Sequence, residues 1–114
     1  MNDRELLELA AKAAGYDYAS PAGYIVVDGI PGNWNPLDDD GDALRLAVKC
    51  RIDVVWSSCG RVVAYWHAGN GDYPYHCMES SREDELGGAR RAIVRAAAEI
   101  GRAMLTTHDG ENRN

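Results

Sequence analysis

The chain has 114 residues, 46% of them hydrophobic and 26% charged, and an excess of acids over bases that gives a formal net charge of −6. This composition fits one soluble domain and excludes collagens, repeat arrays and disordered tails. The acidic balance also argues against a protein that grips nucleic acid over its whole surface, because phosphate neutralisation needs clustered Lys and Arg.

The longest apolar runs, such as residues 62–66, fall far short of the ~20 residues that a membrane-spanning helix needs. Residues 1–10 carry three acids and no basic leader before an apolar block, unlike a secretion signal, so a cytoplasmic location is expected. Cys50, Cys59 and Cys77 are odd in number and form no C-x-x-C pair, which favours reduced thiols over a disulfide framework. The chain has no Phe beside its three Trp and six Tyr, so alanine and other small residues must fill part of the core.

In chain order, residues 2–14 predict a helix. Asn2 caps the first turn with Glu5 three residues on, Leu6, Leu9, Ala10 and Ala13 share a face, and Gly15 supplies the left-handed stop. Residues 16–23 read as turn-prone around Ser20, Pro21, Ala22 and Gly23, and the β-branched run 24–27 reads as a short strand ended by Asp28 and Gly29. Two prolines and a glycine between Ile30 and Leu37 predict a loop that holds Trp34. A second helix is expected from about Asp39 to Lys49, capped by Asp38, with Leu44, Ala47 and Val48 inward and Arg45 and Lys49 outward.

Residues 51–67 carry the clearest hairpin signal, two apolar runs around Ser57, Ser58, Cys59 and Gly60, with Gly60 at positive φ. Both strands are apolar at more than alternate positions, which predicts cover on both faces of the sheet. Residues 68–81 read as loop. The last helix is expected to start between Arg82 and Gly88 and to end near Met104, because Leu86, Ala89, Ile93, Ala97, Ile100 and Met104 recur at helical spacing. These elements give an α+β fold in the order α-β-α-β-β-α, expected as a three-layer α/β/α sandwich with a small, mainly antiparallel sheet. One domain over residues 1–106 and a polar, fraying tail over 107–114 complete the expected organisation.

The acidic run 38–42 invites a calcium reading that fails on register: an EF-hand loop with Gly41 sixth would start at Pro36 and end at Ala47, where a bidentate Glu is needed. Helix capping explains the run better. Cys59, His67, His76 and Cys77 match no zinc spacing, and a Cys77 nucleophile with a histidine base would need contacts that sequence proximity does not establish. No cofactor, metal or catalytic set is expected. Arg90, Arg91, Arg95 and Arg102 line the outer part of the last helix, as a solvated surface or as a phosphate- or partner-contacting face. Trp34, Trp66, Tyr73 and Tyr75 are either loop anchors or a recognition surface. Trp34 fits the anchor and residues 73–76 fit the surface. The candidate partner- or ligand-binding residues are therefore Trp34, Trp66, Tyr73, Tyr75, Arg91 and Arg95.

Residues 34–49 (WNPLDDDGDALRLAVK) and 89–103 (ARRAIVRAAAEIGRA), with the opening LLELAAKAAG, resemble the small uncharacterised proteins of tailed phages and prophages assigned to the phage ABA-sandwich domain. The resemblance covers about half of the chain in three blocks. It implies a phage accessory protein with helices on both faces of a sheet, and it carries no catalytic residue across. The expected function is non-enzymatic binding of a host or phage macromolecule, a host or phage protein above all, in the bacterial cytoplasm, as in counter-defence. The alternative is a small nucleotide ligand, a second messenger stacked on the loop aromatics with its phosphates on the helix arginines.

Overall fold

Helix α1 (Asp3–Ala14) begins where the sequence puts its cap. The Asn2 side chain accepts from the Glu5 N–H at 2.8 Å, and Gly15, at φ 77°, closes the helix in the left-handed region. The structure is a computed structural model that describes residues 2–19, 23–27, 29–57, 60–68, 71–79 and 84–112, with backbone alone for 76–79 and 106–112. The turn residues 20–22 and 58–59 and the expected helix start at Arg82 lie outside the described residues.

After α1 come β1 (Asp17–Ala19), β2 (Tyr24–Val27) and β3 (Ile30–Asn33), which form an antiparallel sheet in the order β1-β2-β3. Two of these strands are additions to the sequence reading, which had β1 as turn and β3 as loop. Pro31 does not disqualify β3, and the hydrogen-bond phase shows why. The Trp34 N–H donates to the Gly23 carbonyl at 3.2 Å, so Gly32 and Ile30 bond toward β2, and the missing N–H of Pro31 faces the free edge.

Helix α2 (Asp40–Cys50) is capped by Asp39, one residue later than expected, and buries Ala43, Leu46 and Ala47. Leu44 and Val48, expected inward, are each 65% exposed. The helix carries apolar residues on two adjacent stripes, and the one with the smaller side chains packs inward because it allows the closer approach. Strands β4 (Asp53–Trp56), β5 (Arg61–Tyr65) and β6 (Tyr75–Glu79) form a second antiparallel sheet with β5 central. Gly60 takes the positive φ expected of it, at 83°. β6 replaces part of the expected loop, since its backbone gains a partner in β5 that local composition does not reveal.

Helix α3 (Glu85–Asn112) follows, longer than its apolar spacing suggests. The α+β class and the antiparallel pairing stand, with β1, β3 and β6 added to the expected order. α3 is the layer shared by the other elements: it packs against α1 and α2, and against β5 and β6 of the second sheet. From Ala89 to Gly101 none of its residues is exposed, and Ala92, Val94, Ala96 and Ala97 are completely buried.

The contact between α1 and α3 closes at a glycine. A Cβ built on Gly101 would lie 2.0 Å from the backbone oxygen of Leu9, so the two helices meet backbone to backbone there. Gly101→Ala should therefore lower the unfolding free energy by about 1–3 kcal/mol, because the overlap with α1 outweighs the gain of about 1 kcal/mol that alanine brings to a helix interior. Gly41→Ala, where a Cβ meets only the ends of the Arg45 and Asp39 side chains, should cost far less. Urea denaturation of both variants against the wild type measures the difference.

Candidate functional site

The second sheet has one covered and one open face. Its register pairs Trp56 with Val62 and Val54 with Ala64, and places Val55 opposite Val63 and Asp53 opposite Tyr65 on the other side. Val62 and Ala64 are fully buried. The opposite face carries Val55, Val63, Tyr65 and Tyr75, with exposed Asp53 beside Tyr65; Val55 is 50% and Tyr75 61% exposed. The two-sided cover expected of the hairpin is thus met on one face only. Tyr65 and Tyr75 pack ring to ring across the strand pair at 5.6 Å, which holds both in place on the open side. At the end of the sheet the His67 and Tyr73 rings meet edge to face at 4.9 Å, and the Trp66 N–H donates to the Pro74 carbonyl at 3.1 Å.

The candidate residues named from the sequence fall into three places. Tyr73 and Tyr75 are exposed at and beside this face, whereas Trp66 is half-buried and packs against the core. Trp34 is 4% exposed and is gripped edge-on by Tyr16 at 5.9 Å and Tyr18 at 5.5 Å, so it anchors its loop in the core and presents no surface. Arg91 binds Asp3 of α1 at 3.1 Å, and Arg95 is half-buried on α3. The residues that sequence reasoning missed are Val55, Val63 and Tyr65. Their alternation within the hairpin was the available signal, but it was masked by apolar residues on both faces.

The acidic run is consumed by the start of α2. Asp39 accepts from the Asp42 N–H at 2.7 Å, Asp42 accepts from the Asn35 N–H at 3.0 Å and binds Arg45 at 2.8 Å, and Asn35 bridges to Asp38 at 3.1 Å. Arg90 reaches across from α3, donating to the Leu37 carbonyl at 2.7 Å and pairing with Asp40 at 2.5 Å. Among the described residues no cluster of three or more His, Cys, Asp or Glu side chains could hold a metal, and no helix is long and apolar enough to cross a membrane. The side chains of Cys59, His76 and Cys77 lie outside the described residues. Burial pushes the Cys50 thiol up to about 11, so it is a thiol and not a nucleophilic thiolate at neutral pH. An open depression of about 380 Å³ is lined by Tyr24, Pro31, Gly32 and Asn33.

No family model, curated protein or solved structure matches the chain.

The Arg90 contacts give a stability contrast. Arg90→Ala should cost about 1.5–3 kcal/mol, since it removes a charged donor from a partly buried carbonyl. Asp40→Asn should cost under about 1 kcal/mol, because the Asp40 carboxylate is largely exposed and its ion pair is screened. Paired denaturant titrations measure both.

Proposed function

We propose that the chain is a phage-encoded accessory protein that binds a host or phage protein in the bacterial cytoplasm without catalysing a reaction, and that the open face of β4–β6 is the surface it uses. One observation supports this reading above the others. Val55, Val63, Tyr65 and Tyr75 form an apolar and aromatic patch, with Asp53 beside Tyr65, on a sheet whose strands β5 and β6 pack on α3, so the patch cannot turn inward. Tyrosines in such a setting supply large contact area at low conformational cost. The phage assignment rests on the resemblance of residues 34–49 and 89–103. The net charge of −6 favours a partner with basic groups around an apolar centre.

A nucleotide ligand gains no support from the arrangement of the arginines. Arg90 and Arg91 are committed to Leu37, Asp40 and Asp3, where they hold α3 to α2 and α1.

The test is affinity capture from infected cells with the wild-type chain and with a Tyr65→Ala/Tyr75→Ala variant whose circular dichroism is unchanged. The wild type should enrich a specific protein, and the variant should retain it about tenfold less or worse. A partner held equally by both, or no enriched protein at all, would overturn the proposal.

A further inference from the structure

Among the described residues strand β4 is the outermost strand of its sheet and has a single neighbour, β5. The hydrogen-bond phase of the hairpin fixes which of its residues face outward. The Ser57 N–H donates to the Arg61 carbonyl at 2.8 Å, so Ser57, Val55 and Asp53 bond toward β5. Val54 and Trp56, the alternate residues, turn their N–H and C=O groups to the free edge. Among the described residues this edge is blunted only by its four-residue length and the charge of Asp53: it has no Pro, Lys, bulge or covering element, and Val55 is half-exposed and Trp56 60% exposed. The outer edge of β3 carries Pro31 in the outward phase, and β1 lies against α1.

We propose that β4 pairs antiparallel with β4 of a second copy of this chain, about a two-fold axis at Val55, joining two three-stranded sheets into one of six strands. The strand's own pattern selects this occupant and this register. Residues directly opposite in an antiparallel pair share a face, so a self-paired strand must be centred on a residue and not between two. Centring on Val55 sets Val54 against the partner's Trp56 and Trp56 against the partner's Val54. Both are hydrogen-bonded pairs made of outward-facing groups. Val55 then meets the partner's Val55 on the open face, and each Asp53 lies opposite a neutral Ser57, so the carboxylates are not opposed. Centring on Val54 instead would need Ile52 to pair with Trp56, but the Ile52 N–H is already bonded to the Ala47 carbonyl at 2.9 Å. The join makes the two open faces continuous, with Val55 of both copies at the centre. The pairing does not depend on which macromolecule, if any, binds that face.

Sedimentation equilibrium of the full chain over a wide range of protein concentration tests the proposal, using the wild type, Trp56→Pro and Val55→Lys, each checked by circular dichroism. Proline at position 56 removes an outward N–H together with the indole side chain and leaves the β4–β5 ladder whole. Lysine at position 55 opposes two ammonium groups at the axis. The wild-type mass should rise from 12.5 kDa toward twice that value as concentration increases, and both variants should associate about tenfold more weakly or not at all. A wild type that stays at 12.5 kDa throughout, or variants that associate as well as the wild type, would overturn the self-pairing. So would a monomeric wild type whose captured protein is lost on Trp56→Pro, since a strand of that protein would then be taking the edge.

Discussion

The close approach of α3 to α1 is the constraint on which the remaining packing depends. Among the described residues more than half of the buried apolar ones are alanines, and all of these except Ala64 lie on α1, α2 and α3. Alanine loses no side-chain entropy on burial, but each methyl removes little surface from water. A core of this kind gains stability from density of contact, which requires the backbones to come together as they do where Gly101 meets Leu9.

Because no residue of α3 from Ala89 to Gly101 is exposed, the helix organises elements that do not touch one another widely. Arg91 ties its first turns to α1 through Asp3, and Arg90 ties them to the start of α2 through Leu37 and Asp40. The opposite side of α3 takes Val62 and Ala64 of the second sheet. The helix covers that face at β5 and β6, and the other is left to water with Val55, Tyr65 and Tyr75 on it. Beyond Gly101 the described side chains 102–105 are exposed, so the helix outruns the layer it organises. One asymmetry, helix on one face and solvent on the other, thus produces both the core and the open aromatic face.

Much of this was legible in the sequence. Asn2 and Gly15 mark α1, and the Asp-rich run marks α2 to within a residue. Gly60 marks the hairpin, and the three-and-four spacing from Leu86 onward marks α3. Local signals end where pairing is decided at a distance. β1, β3 and β6 are short strands held by a neighbour, and nothing in Asp17–Ala19 or Tyr75–Glu79 taken alone distinguishes strand from loop. The inward face of α2 was misread because Leu44 and Val48 outweigh Ala43 and Leu46 in hydrophobicity, although the smaller stripe permits the closer contact. The same weighting predicted cover on both faces of the hairpin. Of the candidate site, Tyr73 and Tyr75 were identified as surface and Trp34 as an anchor, whereas the ties of Arg90 and Arg91 to α2 and α1 depend on helix packing that no spacing along the chain encodes.

Native-state hydrogen exchange resolved to single amides tests the central role of α3 most directly. The amides of residues 92–98 should be the slowest in the protein, opening only with global unfolding and at the free energy that denaturant titration gives. If those amides exchanged through a cheaper, local opening while the β5 amides remained protected, the second sheet would be holding the fold, and α3 would be a helix laid upon it.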